Sequence, residues 1–321
     1  MAPQDLPAAS RAFESHLFDE HDDADDLAYK RILDALLKQT ATPSQAAADM
    51  DALVTGEAKK KLEALEQRTP PFQLTSEEQE QGLTPRLVGP NPEMWIEMIT
   101  TSIAKVSSAF PPAHPAQDAL VEFLRELRDM PKHEVPSGDY TRDDPVVHAQ
   151  TFTLWPFGED SVGYLAEKFR REAEDIAYPF SHVETLESET QLRWSNLQSF
   201  ITRLTVSGLI DCSHVSALAN LLPSSPTYPD LAARKAGGPR RLAGDLFAAS
   251  HWLADDGARR WVYERCMATE APGDGESAFA WSKRSWADWK SQLAALADID
   301  GFPAEARDLA LLLRTKMETE K

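Results

Sequence analysis

The chain has 321 residues and a mass of 35.7 kDa, a length that allows either two domains or one large domain. Hydrophobic residues make up 42% of the chain and charged residues 26%, a composition that is typical of globular proteins and excludes a disordered chain. The net charge of −19 repels a polyphosphate and no apolar run approaches the ~20 residues that cross a bilayer, so we expect neither nucleic-acid nor membrane partners.

Most of the chain shows the 3.6-residue apolar period of helices, and prolines punctuate the periodic segments. This pattern predicts an all-α fold, an irregular helical bundle or helical-hairpin array with little or no β-structure. In chain order, helices are predicted for residues 26–38, 43–66 (one or two helices), 92–110, 115–131, 159–178, 194–204, 242–253, 257–266 and 279–296, with a last helix opening at Pro303.

Two irregular stretches interrupt this pattern. Residues 68–92 are interpreted as a connecting loop and residues 131–145 as a second irregular segment. Together they predict an acidic N-terminal helical region, 1–145, and an aromatic-rich C-terminal helical region, 146–321. One continuous domain is the alternative. Residues 146–155 have strand propensity, but we predict a helix there because no partner strand is recognisable elsewhere.

Residues 19–26 bring six carboxylates together, an oxygen-rich cluster of the kind that suits magnesium or calcium. The Asp-Asp-Ala-Asp-Asp stretch at 22–26 resembles the aspartate-rich motif of the all-helical terpenoid synthases, and that resemblance implies Asp22, Asp23 and Asp26 as metal ligands. The interpretation that we favour is a solvated acidic turn that places negative charge at the start of a helix. No metal and no other cofactor is therefore predicted.

A second candidate is the Gly-Gly-Pro-Arg-Arg stretch at 237–241. Proline suits the first turn of a helix, whose free N–H groups attract anions, and the guanidinium groups of Arg240 and Arg241 would strengthen that attraction. A carboxylate, a phosphate or an acidic segment is the ligand that this chemistry favours. The alternative is that both arginines lie on the surface or pair with Asp245.

The third candidate is an aromatic concentration in the last third of the chain. Tryptophan buries a large area and keeps an N–H donor, so it is frequent in ligand pockets and interfaces. Trp252, Trp261 and Trp281 are the predicted binding residues, with Trp281 off the main stripe of its helix. His251 is the catalytic candidate, because imidazole changes charge near neutral pH. Core packing is the alternative for most of these rings.

The run Ala-Gly-Asp-Leu-Phe-Ala-Ala-Ser-His-Trp-Leu at 243–253, followed by Trp261 and Tyr263, resembles a family of uncharacterised fungal proteins that share a domain of unknown function. The resemblance covers roughly residues 150–300 and rests on tryptophan spacing. It implies a fungal source and a helical fold throughout, and it implies no catalytic residues.

The sequence carries no Gly-x-Ser-x-Gly elbow, no His-Glu-x-x-His pair and no phosphate-binding glycine loop. We therefore predict a soluble helical protein that binds a peptide, a partner protein or a small acidic ligand through its aromatic and arginine-bearing C-terminal surface. The alternative is an enzyme of fungal secondary metabolism with a helical substrate cavity, in one version assisted by a metal.

The cellular location is predicted from the first residues of the chain and from its cysteines. The first residues show no basic start followed by an apolar core, so no secretory signal is expected. Two cysteines, Cys212 and Cys266, are too few for a disulfide framework and favour a reducing compartment. We predict a cytoplasmic location, with the nucleus as the alternative.

Overall fold

A computed structural model of the protein describes residues 12–141, 144–157, 163–172, 186–221, 238–268 and 281–320. Within these residues the protein is mostly helical, as the apolar period predicted, and one two-stranded sheet accompanies the helices. The helices are α1 (Ala24–Leu37), α2 (Pro43–Glu66), α3 (Ser76–Glu80), α4 (Pro85–Val88), α5 (Pro92–Ser107), α6 (Pro115–Asp129), α7 (Gly163–Glu172), α8 (Glu189–Val206), α9 (Gly238–Ser250), α10 (Asp256–Ala268), α11 (Lys283–Ala297) and α12 (Ala304–Thr319).

Local signals explain where several helices begin and end. Thr42 caps the start of α2, where Pro43 occupies the first turn without a hydrogen bond to lose. Ser282 caps α11 by accepting a hydrogen bond from the backbone N–H of Ser285. Gly208 follows α8 with φ of +65°, a left-handed conformation that glycine adopts without strain, as the sequence predicted for a helix end. None of the described helices has the length and apolar character of a membrane span.

The helix predicted for residues 146–155 is wrong, because this segment forms strand β2 (His148–Thr153). Its partner is β1 (Glu134–Asp139), antiparallel, with Val135 opposite Phe152. Pro136 and Gly138 made β1 resemble a turn in the sequence. In a sheet of two strands both strands are edges, so the missing N–H of a proline is tolerated.

The stretch 68–92, predicted as a loop, contains the short helices α3 and α4. Five-residue and four-residue helices are shorter than the window in which an apolar period is recognisable. Parts of three predicted segments lie outside the described residues. They are 159–162 and 173–178 of the predicted helix 159–178, Gly237 of the stretch 237–241, and 279–280 of the predicted helix 279–296.

Residue contacts divide the chain into two compact units. We call His16–Ile103 with Asp118–Leu165 the N-terminal unit, and Met1–Ser15, Ala104–Gln117 and Ala166–Lys321 the C-terminal unit. The units are interleaved along the chain, and the division into regions 1–145 and 146–321 stays a prediction.

The N-terminal unit contains the sheet and a helical core. Buried apolar side chains come from α1, α2, α5 and α6, and include Leu33, Met50, Ile96 and Phe123. Trp155, just after β2, is also buried, and its indole N–H donates to a carboxylate oxygen of Asp51 on α2 at 2.7 Å. This bond satisfies a buried polar group that would otherwise weaken the core.

The C-terminal unit is organised around α8, which is buried over most of its length. Helices α9 and α10 both pack against α8, α11 packs against α10 and α12, and α9 also contacts the 3₁₀ segment Ala217–Leu221. The apolar side chains of this core include Leu197, Phe200, Leu246, Trp289 and Leu313.

Gln198 on α8 makes three hydrogen bonds from a fully buried position. Its side-chain oxygen accepts from the indole N–H of Trp252 and from the backbone N–H of Ala217, each at 2.8 Å. Its side-chain nitrogen donates to the carbonyl oxygen of Val215 at 2.9 Å. One amide therefore joins α8 both to the 3₁₀ region and to the residues that follow α9.

We expect Gln198→Leu to lower the free energy of unfolding by about 3 kcal/mol, since it leaves the buried N–H groups of Ala217 and Trp252 and the carbonyl of Val215 without this partner. Urea denaturation measures the change. Gln67→Leu, at an exposed position, is the control and is expected to change the stability little. Equal stabilities of the two variants would contradict the assigned role of Gln198.

Gly244 on α9 lets this helix lie close to α8, because a Cβ built there would meet Cγ of Gln191 at 2.9 Å. We expect Gly244→Ala to destabilise the protein by about 1–2 kcal/mol through overpacking. Gly56→Ala in α2 is the matched control, since its Cβ would have nothing within 4 Å. That variant should be more stable by about 0.5–1 kcal/mol, because alanine favours the helix.

Urea unfolding of Gly244→Ala, Gln191→Ala, the double variant Gly244→Ala/Gln191→Ala and Gly56→Ala distinguishes the steric effect from helix propensity. Truncation of Gln191 removes the atom that the new methyl group would meet, so the double variant should lose less stability than the two single changes together. If Gly244→Ala alone stabilised the protein, the contact between α8 and α9 would not be close enough to exclude a methyl group.

Candidate functional site

The C-terminal unit contains a cavity of about 390 Å³ at the start of α9, which we call the α9 cavity. In the described part of the chain, its walls come from three elements: the first two turns of α9, the 3₁₀ segment Ala217–Leu221, and the end of α11 with the turn after it. This volume falls in the range of small-molecule sites. The lining residues are Asn220, Leu221, Gly238, Pro239, Leu242, Asp245, Gln292, Ala295, Leu296 and Ile299.

The described walls of the α9 cavity are largely apolar and include three polar side chains. Leu221, Leu242 and Leu296 contribute hydrocarbon surface from the three different elements. The polar lining side chains are Asn220, Asp245 and Gln292. A mainly apolar cavity with a few placed polar groups is the usual form of a ligand site, because the apolar walls supply affinity and the polar groups set orientation.

Among the lining residues that the structure describes, Asp245 is the charged one, and its side chain is 4% exposed. The Nδ2 group of Asn220 donates to one of its carboxylate oxygens at 3.3 Å. Nε of Arg241, one helical turn earlier, lies 3.9 Å from the other oxygen, and the Arg241 side chain is 7% exposed. An ion pair this deeply buried costs desolvation free energy, so hydrophobic residues at these positions would be at least as stabilising.

The two arginines of the 237–241 stretch lie in different surroundings. Arg240 is exposed, whereas Arg241 is buried and pairs with Asp245, which is the alternative that the sequence had left open. Gly238 and Pro239 belong to the cavity lining. Within this stretch, Gly238 and Pro239 at the start of α9 therefore line the cavity, and neither Arg240 nor Arg241 does.

The predicted tryptophans form one cluster inside the C-terminal unit. Trp281 lies at its centre, with ring centroids 6.0 Å from Trp252, 5.6 Å from Trp261 and 5.6 Å from Trp289. Trp252 and Trp281 are buried and Trp261 is partly exposed. Spacings of this size are typical of favourable edge-on and tilted aromatic pairs, so the cluster stabilises the packing of α10 and α11.

The tryptophan cluster also supports the α9 cavity. The indole N–H of Trp289 donates to the carbonyl oxygen of Leu218 at 2.9 Å, which fixes the 3₁₀ segment two residues before Asn220. Trp289 precedes Gln292 by about one turn of α11, and Gln292 lines the cavity. The cluster therefore positions two of the three walls.

His251 lies just after α9, with Nε2 3.1 Å from the hydroxyl oxygen of Ser195 on α8. Burial lowers the pKa of His251 to about 4, because the low-dielectric surroundings disfavour the imidazolium ion. The neutral ring accepts or donates this one hydrogen bond. A base with so low a pKa has little proton affinity at neutral pH, which disfavours a role as general base.

The acidic run at 19–26 belongs to the N-terminal unit and starts α1. The side chain of Asp23 accepts hydrogen bonds from the backbone N–H groups of Asp25 and Asp26, and Asp26 accepts from the N–H of Asp23. Asp22 pairs with the ammonium group of the buried Lys30. These carboxylates thus cap and anchor a helix.

No group of three or more histidine, cysteine, aspartate or glutamate side chains is arranged to hold a metal ion within the described parts of the chain. Cys212 and Cys266 are free and buried. Burial raises the pKa of the Cys266 thiol to about 12 and that of Cys212 well above its usual value, so both thiols are protonated at neutral pH and chemically inert.

Sequence reasoning missed Asn220 and Gln292 as members of the site and named Asp245 only as a partner of arginine. One signal was present for Asn220, which is the single polar residue in the buried Ala-Leu-Ala-Asn-Leu run of the 3₁₀ segment. A polar side chain in such a run needs a buried partner, and here that partner is Asp245. Gln292 carried no comparable signal.

The chain matches the family described as "Protein of unknown function (DUF3632)" over residues 101–293, and it belongs to that family. This match confirms the resemblance to an uncharacterised family, while the fungal source stays a prediction. The matched residues include most of the lining of the α9 cavity, from Asn220 to Gln292. Neither a curated protein nor a solved structure matches the chain.

The pKa of His251 predicts a pH-dependent stability. Between pH 6.5 and about 4 the unfolded chain binds a proton at this imidazole and the folded chain does not, so folding becomes less favourable as the pH falls through this window. The variant His251→Gln keeps a hydrogen-bonding side chain and does not titrate. Relative to this variant, the wild-type protein should lose about 2–3 kcal/mol of stability between pH 6.5 and 4.

Denaturant unfolding of both proteins across this pH range measures the difference, and the ring resonances of His251 report its pKa directly by nuclear magnetic resonance. Parallel pH profiles for the wild-type protein and His251→Gln, or a His251 pKa near 6.5, would contradict the burial effect.

Proposed function

We propose that this protein binds a small molecule in the α9 cavity. The observation that carries the proposal is the combination, in one cavity of about 390 Å³, of apolar walls with the buried carboxylate of Asp245. Because a buried ion pair stabilises a fold poorly, its place at a cavity wall supports a role in recognition. Apolar contacts would supply most of the affinity, and Asn220, Asp245 and Gln292 would orient the ligand.

The proposed site is the α9 cavity, whereas the sequence predicted an aromatic and arginine-bearing surface. Trp252 and Trp281 are buried against each other, so they support the cavity walls instead of meeting a peptide. Arg241 faces Asp245, and Arg240 is exposed beside Pro239 of the lining. The carboxylate in the lining favours a ligand that donates hydrogen bonds over an acidic one.

An enzyme that uses His251 as acid or base has weaker support. The hydrogen bond between His251 and Ser195 is the observation in its favour, at 3.1 Å. The pKa of about 4 opposes it, because the imidazole is then neutral and weakly basic throughout the physiological range. Binding in the α9 cavity needs no such group.

Native mass spectrometry of the gently purified full chain tests the proposal by detecting a co-purified small molecule. Leu242→Trp places a larger ring in the lining of the cavity and should abolish that adduct. Leu311→Trp is the matched control, since Leu311 is 45% exposed on α12 in the same unit, and it should retain the adduct. Circular dichroism of both variants should match the wild-type spectrum.

A fragment screen by ligand-detected nuclear magnetic resonance extends the test to protein purified without an adduct. Fragments that bind the wild-type protein and Leu311→Trp, and that fail to bind Leu242→Trp, support the α9 cavity as the site. An adduct or fragment set that is the same in all three proteins overturns the assignment, and so does a screen in which nothing binds the wild-type protein.

A further inference from the structure

We propose that a second copy of this chain pairs with strand β2 along residues 149–153, so that the protein forms a two-fold symmetric dimer. We call the outward-pointing backbone of these residues the β2 edge. It belongs to the N-terminal unit and involves no residue of the α9 cavity. Three features support the pairing: the direction of the backbone groups, their exposure, and the lack of charge along the edge.

The register of the sheet shows which backbone groups of β2 point away from β1. In an antiparallel pair, residues that exchange hydrogen bonds with the partner strand alternate with residues whose N–H and C=O groups point outward. The N–H of Leu154 donates to the carbonyl oxygen of His133 at 3.1 Å, and Val135 with Phe152 is the next bonded pair in the same register. The residues of β2 that point outward are therefore Ala149, Thr151 and Thr153.

The β2 edge has no hydrogen-bonding partner in the described part of the chain. Ala149, Thr151 and Thr153 are exposed, and no hydrogen bond reaches their outward N–H and C=O groups from any described residue. An exposed row of such groups is a template for pairing with another strand, because each group bonds as well to a second chain as to water.

Both ends of the β2 edge are defined by the chain itself. Before it, the N–H of Val147 donates to the carbonyl oxygen of Phe72 at 2.8 Å, and the N–H of Leu74 donates to the carbonyl oxygen of Pro145 at 3.0 Å. The same side of the strand is therefore already used for pairing there. After it, Trp155 has φ of +55° and turns the chain away from the strand direction. The unpaired length is thus limited to a few residues.

The outer edge of β1, in contrast, is protected against pairing. Pro136 has no N–H, and the carbonyl oxygen of Gly138 accepts a hydrogen bond from the side-chain amide of Gln150 at 2.8 Å. Glu134 and Asp139 add charge at the two ends of this strand. Native sheets prevent unwanted pairing by such means, and the β2 edge has neither a proline nor a charged residue.

The β2 edge is complementary to itself. Its outward-pointing residues are placed symmetrically about Thr151, so an antiparallel copy can align Thr151 with its own counterpart and Ala149 with Thr153 of the second copy. All outward groups then exchange hydrogen bonds, two for each pair. Threonine opposite threonine is also a favourable cross-strand pair.

Charge likewise favours a second copy as the occupant. In a two-fold contact, a side chain near the axis meets its own counterpart, so a charged residue there would repel itself. Residues 149–153 carry no charge, although 26% of the chain is charged and its net charge is −19. For the same reason these residues offer no carboxylate to a basic partner protein.

The assembly is expected to stop at a dimer. Joining two copies through β2 gives a sheet in the order β1-β2-β2-β1, whose outer edges are the two protected β1 strands. A two-fold contact uses the same patch on both copies and leaves none free for a third. We therefore expect a closed dimer and no fibre.

Sedimentation velocity of the full chain from about 1 to about 300 µM tests the dimer, in about 0.15 M salt, which limits repulsion between the net charges to about 8 Å. We expect a reversible monomer–dimer equilibrium within this range. Hydrogen exchange followed by nuclear magnetic resonance locates the contact. The N–H groups of Ala149, Thr151 and Thr153 should exchange more slowly as the protein concentration rises.

Thr151→Glu and Thr151→Lys each place a charge opposite itself and should weaken the dimer about tenfold or more. An equimolar mixture of the two variants should recover a dimer, because glutamate then faces lysine. Gln67→Glu and Gln67→Lys are the matched controls, since they make the same charge changes at an exposed position of the same unit, and they should dimerise as the wild-type protein does. Circular dichroism of the four variants checks their folding.

Several results would overturn the inference. One is a chain that stays monomeric up to about 300 µM, which would leave the β2 edge to a different protein or to solvent. Another is a dimer that both Thr151 variants form as tightly as the wild-type protein, which would place the contact elsewhere. If a Thr151 variant fails to fold, the amide exchange of the wild-type protein at low and high concentration decides the question, and unchanged exchange at these three residues contradicts the pairing.

Discussion

The side-chain amide of Gln198 is the interaction on which the C-terminal unit depends most. It is fully buried in α8, and its three hydrogen bonds hold the 3₁₀ region through Val215 and Ala217 and the residues after α9 through Trp252. An amide offers both a donor and an acceptor at one point, which no apolar side chain can do. Because the 3₁₀ segment leads directly into Asn220, the placement of one cavity wall follows from this contact.

The tryptophan cluster and the buried charges have opposite effects on stability. The rings around Trp281 bury large apolar areas and fix α11 against the 3₁₀ segment through the bond of Trp289 to Leu218. The pair of Arg241 and Asp245 costs desolvation free energy, which the surrounding packing offsets. This charged pair beside a cavity is the feature on which the proposed role of Asp245 in ligand recognition rests.

Helices were predicted well and the sheet was not, for a physical reason. The apolar period of α5 and α6 reports a local geometry, since residues three or four positions apart share a helix face whatever the rest of the chain does. Strand pairing instead depends on a second segment, and β1 contains a proline and a glycine that are typical of turns. The roles of the acidic carboxylates followed from local spacing too, because a helix cap involves neighbours only.

The sequence by itself determined the helical class, most helix positions and the aromatic character of the C-terminal half, because these depend on composition and on contacts between near neighbours. Only the tertiary structure decided that Arg241 is buried and Arg240 exposed, that the tryptophans support walls, and that Asn220 meets Asp245 across 25 positions of the chain. The α9 cavity arises where three elements pack imperfectly, and such a space is a property of side-chain volumes in contact, which periodicity along one segment does not encode.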